Sequence, residues 1–301
     1  MISLVDKKLT QKNIYPIAEW SSLIEKAVHD ELSAIGHNDA SHDIGHLQRV
    51  STLSRRFAKI EEADELVVYA AGMLHDIVNL PKNHPNSKNC SFLASERAAN
   101  ILRELNFPSE LIPHVCHAIH SHSFSANVKP ETIEAMCVQD ADRMEALGAF
   151  GLMRVFYTSG KFKSKIMDEN DPEGHLRMHN DKIYALDHFP VKLLTLCATM
   201  KTSAGLKTAQ SLSTFLEDFR NNIIQDHRLG NNTSGRFKIA EAYQQAGQKG
   251  SDLFSSLDPL AVQGRVLDSD KYALDSLLSD NDLYIRKFID QLAFELNGYQ
   301  N

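Results

Sequence analysis

Apolar residues along this chain return at steps of three and four rather than two. Between Asp43 and Ile60, the side chains of Ile44, Leu47, Val50, Leu53 and Phe57 draw one stripe along a single helix face. Pro16 at a first-turn position and Gly36 past the end bracket an earlier helix. The same spacing predicts helices near 63–79, 91–106, 109–121, 130–139, 142–158, 181–200, 204–228, 236–247 and 275–296. Ser109 stands just before one periodic run, and Pro130 with Thr132 opens another. No two alternating runs are joined by hairpin-type turn residues. The expected fold is all-α, a helical bundle with a helical C-terminal extension.

The clearest loop is Gly230-Asn231-Asn232-Thr233-Ser234-Gly235, followed by a second at 247–251. These divide the chain into a core, 1–228, and an extension, 229–301. Residues 236–301 carry an amphipathic pattern in Leu283, Ile285, Phe288, Ile289, Leu292 and Leu296, with seven basic and ten acidic residues. The extension reads as a helical appendage docked on the main body, or as a dimerisation element that would make the protein a homodimer.

With 301 residues the chain has room for one large or two small domains, and 43% hydrophobic with 24% charged residues excludes disorder as the main state. The 32 basic against 39 acidic residues give −7, which removes any electrostatic reason to expect nucleic-acid binding or an anionic membrane. Cys90, Cys116, Cys137 and Cys197 stand far apart and read as reduced thiols. The N-terminus lacks the cationic and apolar regions of a signal peptide, and the apolar run Leu66–Leu74 is far short of the roughly 20 residues that span a bilayer. A cytoplasmic protein is expected.

Histidine is the residue type that points to chemistry, because ten of the 14 lie between positions 29 and 122. His-Asp occurs three times, and context separates the copies. His29-Asp30 sits among Glu25, Lys26 and Glu31 and reads as a solvated face, while Asp43 of His42-Asp43 reads as a helix N-cap. His75-Asp76 ends the apolar run, where a polar pair is costly unless it is paired or bound to a cation. A second helix offers His46 with Arg49 one turn on, and a third offers Asp140 and Asp142. One His, one His-Asp pair and one Asp from three helices would make a mixed nitrogen and oxygen site inside a bundle. Such a set leaves positions open on an octahedral divalent ion such as Mn, Fe, Co, Ni or Mg.

The order His46, His75-Asp76 and Asp142 within Ala141-Asp142-Arg143-Met144 resembles the metal signature of the HD-domain phosphohydrolase superfamily. Asp43–Val50, Ala70–Asp76, His120–Ser125 and Asp140–Gly151 are similar to a branch of small bacterial HD hydrolases thought to act on nucleotides. Asp187-His188-Phe189, Lys192-Leu193-Leu194 and Met200-Lys201-Thr202 fit the same branch, so that the resemblance covers about 20–228. It implies a metal-dependent phosphohydrolase in which His46, His75, Asp76 and Asp142 bind the ion, and metal-bound hydroxide attacks a small phosphate ester or anhydride. A nucleotide is the implied substrate. Asp76 would also orient the attacking water, and Asp140 would be a supporting or capping group.

One departure bears on the mechanism. Some members of the superfamily carry an acid three or four positions after His-Asp, where this chain has Asn79 and Leu80. Proton donation to the leaving group then falls to His120 or His122, with His122 the preferred catalytic group. His114, His117 and His120, at steps of three, could hold a second metal or line the pocket, and backbone-bonded histidines are the plain alternative. Arg49, Lys82 and Lys192 are the cations expected to hold phosphate; Arg49 and Lys82 lie one turn or one short loop from the proposed ligands, and Lys82 is expected among the catalytic groups with Asp76 and His122. Phe156, Tyr157 and Phe162 read as core. A nucleotide-sensing module without catalysis competes with the enzyme, and oxidative chemistry at a two-iron site would need the extra histidines.

Overall fold

The computed structural model describes residues 15–35, 44–80 and 84–229. Its helices are α1 (Ile17–Ile35), α2 (Ile44–Ile60), α3 (Glu65–Leu74), α4 (Cys90–Glu104), α5 (Ile112–His122), α6 (Ile133–Met144), α7 (Gly148–Lys161), α8 (His188–Val191) and α9 (Ser203–Leu229). Among the described residues the extended pairing is one isolated parallel bridge between Lys165 and Tyr184, so the all-α expectation holds. No helix there is long and apolar enough to cross a membrane. Gly36, the capping role of Asp43, the loop at 247–251 and the extension from residue 230 lie outside the described residues.

Helix α3 is the centre of the bundle. Every residue from Leu66 to Leu74 is buried, which explains why its sequence shows no polar face. Asp64 starts it by accepting from the N–H groups of Leu66 at 2.9 Å and Val67 at 3.1 Å. Helices α1, α2, α5 and α6 pack around it, and α4 covers α5. The contact of α2 with α3 is close enough that a Cβ on Gly72 would fall 2.6 Å from the Ser51 Cα. This approach carries His46 on α2 towards His75 at the end of α3.

Three helix boundaries differ from the sequence expectation. The helix expected over 63–79 stops at Leu74, and the chain turns through His75 and Asp76. Neighbouring side chains on a continuous helix point apart, so the turn is what lets this pair face one centre. The helices expected at 130–139 and 142–158 instead divide at 145–147: Asp142 is the last-turn residue of α6, and α7 begins at Gly148, whose φ of 62° suits glycine. The helix expected over 181–200 is a series of short turns around the four-residue α8. Pro190 supplies no N–H there, and the Thr195 and Thr199 hydroxyls donate to the Lys192 and Leu196 carbonyls at 2.7 Å.

Of the two caps, Thr132 accepts from the Ala135 N–H at 3.1 Å, whereas the residue before α5 is Leu111 rather than Ser109. The aromatic residues also divide. Phe156 packs edge-on to Phe219, but Tyr157 and Phe162 are exposed, contrary to their reading as core.

Gly72→Ala forces the added methyl against backbone rather than a movable side chain, so it is expected to cost roughly 1–3 kcal/mol in denaturant unfolding. A neutral result would mean that α2 and α3 can part freely.

Candidate metal centre

Four side chains from three elements meet in the bundle. The Nε2 atoms of His46 and His75 are 3.1 Å apart. Asp76 Oδ2 lies 3.8 Å from the first and 3.6 Å from the second, and Asp142 Oδ1 lies 3.6 and 3.7 Å from them. Ligand bonds of about 2.1 Å put neighbouring atoms on an octahedral ion about 3.0 Å apart and opposite ones about 4.2 Å apart. The observed separations fall between those limits. The imidazoles are buried, while the side chains of Asp76 and Asp142 keep 18% and 28% of their exposure, so the centre opens on its carboxylate side.

Hydrogen bonding fixes which ring nitrogens face inward. His75 Nδ1–H donates to the Gly72 carbonyl at 2.8 Å, and His46 Nδ1 faces Glu145 Oε2 at 3.4 Å. A carbonyl and a carboxylate can only accept, so each Nδ1 carries hydrogen and each Nε2 presents a lone pair to the centre. Two lone pairs and two carboxylates around one point require a cation or a proton. The donor set therefore fits a metal ion.

The electrostatics agree. Burial opposes charge on His75, but Asp76 and Asp142 outweigh it and push its pKa up to about 9. Burial keeps His46 below its usual value despite Glu145. Against their own burial, Asp76 and Asp142 are both held below the usual carboxylate range, first by His75. Glu145 is lowered to about 2 against its burial by Arg49 and His46. Without an ion, a proton on His75 supplies the positive charge that the carboxylates need.

A second group of ligand atoms is continuous with the first: His75, Asp76 and His122 lie within 4.8 Å of one another. His122 Nε2 stands 3.5 Å from Asp76 Oδ1, and its Nδ1–H donates to the Ile119 carbonyl at 2.6 Å. Gln139 Nε2 donates to the Ser121 carbonyl at 2.7 Å, tying this end of α5 to α6.

Residues 43–147 match the model of the HD domain family. Over this third of its length the chain carries an HD domain. The uncharacterised protein YpgQ of Bacillus subtilis is 28% identical over 201 residues, 64% of this chain and 88% of YpgQ. A crystal structure of an HD-superfamily hydrolase from Bacillus thuringiensis, 27% identical, covers 70% of this chain and 98% of its own with a TM-score of 0.55. YpgQ in complex with ADP, 24% identical, covers 70% and 96% with a TM-score of 0.53, and shares the fold. This places the HD domain among hydrolases at the level of the superfamily.

Within the HD domain, the structure brings His46, His75, Asp76 and Asp142 together, with His122 beside them. Asp140 faces elsewhere: it accepts from the Lys201 and Thr202 N–H groups at 2.9 and 2.8 Å and from the Thr202 hydroxyl at 2.8 Å. It fastens the start of α9 to α6. Arg49 has its Nε and Nη2 on Glu145 at 3.0 and 2.9 Å, and its guanidinium lies over the Phe150 ring at 4.7 Å.

His120 is half-buried, edge-on to Phe92, and His114 is exposed. His117 Nε2 accepts from the Glu131 N–H at 2.9 Å, the backbone-bonded alternative. Lys192 is exposed immediately after the four-residue α8. Lys82 lies outside the described residues. Glu145 was missed in the sequence, where the signal was an acid three residues after Asp142 near an Arg at i+3 from His46.

His75 is raised from 6.5 to about 9, so its contribution to metal-free stability is fully present below pH 6.5 and is lost as pH rises towards 9. The increase in melting temperature given by saturating Mn or Mg over chelator should therefore grow across that window. A constant increase would contradict a proton and a metal competing for His75. Glu145→Gln should weaken metal affinity by about 10–100-fold in a competition titration while the fold persists.

Proposed function

We propose that this HD domain is a metal-dependent phosphohydrolase that acts on a small phosphate ester or anhydride, most simply a nucleotide, with His46, His75, Asp76 and Asp142 holding a divalent ion. The observation that carries the proposal is the convergence of two imidazole lone pairs and two carboxylates on one partly open point. A divalent ion bound there would neutralise phosphate oxygens and acidify its water at neutral pH. The carboxylate side is where a substrate would approach.

Asp76 has two tasks in this reading. One oxygen faces the imidazoles, and the other faces His122, so the carboxylate can hold the ion while aligning His122. With Nδ1–H committed to the Ile119 carbonyl, His122 has Nε2 to carry a proton towards a leaving oxygen. That role fills the place left by Asn79 and Leu80. Arg49 offers positive charge, but its Nε and Nη2 edge is occupied by Glu145, so it would not grip phosphate as a full fork. Lys82, His120 and Lys192 remain the proposed further contacts to substrate. A nucleotide is supported by the ADP bound to YpgQ. The proposed setting is cytoplasmic.

Asn79 favours a second reading, a nucleotide sensor that keeps the ion and does not turn over. A screen against nucleoside mono-, di- and triphosphates with Mn, Co, Ni or Mg separates the two. Hydrolysis should fall to background in His75→Ala and Asp76→Ala and remain at the wild-type level in His29→Ala, which alters an exposed residue of α1. Nucleotide binding without turnover would select the sensor, and equal activity in all three variants would remove the proposed centre.

A further inference from the structure

The segment between α7 and α8 displays large apolar side chains on a tightly held backbone. Leu176 is 90% exposed, Met178 91% and Phe162 70%. Asp171 accepts from the His175 and Leu176 N–H groups at 2.9 and 2.8 Å. Asp168 accepts from the Asn170 N–H and the Tyr184 hydroxyl, each at 2.9 Å. Between Leu176 and Met178, Arg177 turns inward: Nη2 donates to buried Asp187 at 2.9 Å, and the guanidinium lies over Tyr184 at 4.5 Å. The fixed backbone sends the two flanking apolar side chains outward. Exposed apolar groups whose ordering cost has already been met are a docking surface.

Exposed basic residues gather at the Phe162 and Ile183 end of this surface. Lys161, Lys163, Lys165 and Lys182 are exposed beside Phe162 and Ile183. The Lys165 N–H donates to the Ile183 carbonyl at 2.8 Å, and the Ser164 hydroxyl to the Lys182 carbonyl at 3.3 Å, which joins the two lysine stretches. Of the acids nearby, Asp168, Asp171 and Asp187 are engaged as described, Asp181 meets His188 Nδ1 at 2.9 Å, Glu173 meets His175 Nε2 at 3.3 Å, and Glu169 meets His227 Nδ1 at 3.6 Å.

Helix α9 ends at the same place. His227 Nε2–H donates to the Glu169 carbonyl at 2.9 Å, and Arg220 Nη2 donates to the Glu173 carbonyl at 3.4 Å. Residues 230–301 follow in sequence the turn of α9 that lies against 169–173. Their sequence offers what the surface lacks: an apolar stripe in Ile285, Phe288, Ile289, Leu292 and Leu296, with five acids and two bases between Asp275 and Leu296.

We propose that 283–296 of the same chain dock on the surface formed by Leu176, Met178, Phe162 and Ile183, with the flanking acids set against the lysines. Hydrogen exchange and methionine oxidation on the full-length chain test this. In the wild type, 283–296 should be protected and Met178 should oxidise slowly in a monomer. Leu176→Asp with Met178→Asp, a change of exposed side chains, should speed exchange in 283–296 at least tenfold and leave α3 and α6 unchanged. Phe288→Asp should speed oxidation of Met178. The proposal is overturned if 283–296 are unprotected or stay protected in the double variant, or if Met178 reacts equally in wild type and Phe288→Asp. It is also overturned if protection appears only in a concentration-dependent dimer, which would place the segment on a second copy.

Discussion

Two histidine nitrogens face each other at 3.1 Å with their hydrogens turned away, and two carboxylates stand within 3.8 Å of them. Such a concentration of lone pairs and negative charge is unfavourable in a buried place unless something positive occupies its centre. A proton on His75 partly meets that need, and a divalent ion meets it more completely. The apolar character of α3, the close approach at Gly72 and the turn after Leu74 all bring these groups together. They are the conditions under which a bundle can hold a centre that would repel itself when empty of charge.

Around that centre the remaining polar groups are arranged in pairs that point outward. Glu145 receives His46 on one side and Arg49 on the other, so the charge of the carboxylate is balanced before it reaches the imidazole. Asp140, two residues from Asp142, spends its oxygens on the first N–H groups before α9. Two nearly adjacent acids on α6 thus do different work because a helix sends them about 200° apart. One joins α9 to the bundle, and the other completes the centre.

The fold class was legible because helical spacing needs little beyond the apolar positions themselves. His75-Asp76 stood out for a local reason, a polar pair closing an apolar run. Glu145 did not, since its importance depends on α2 and α6 coming together across 99 positions. The choice of Asp142 over Asp140 was open on spacing and rested on family resemblance. The expected helix over 181–200 failed where Pro190 and threonine hydroxyls compete with regular bonding. Exposure of Phe162 was also hidden, because a large aromatic side chain reads as core until its neighbours are placed.

Nitrogen couplings to bound Mn(II), read by electron–nuclear double resonance on protein with 15N-labelled histidine, test the centre most directly. Couplings from two imidazoles are expected, reduced to one in His75→Ala. Manganese bound without nitrogen couplings, or with the same couplings in that variant, would contradict that centre.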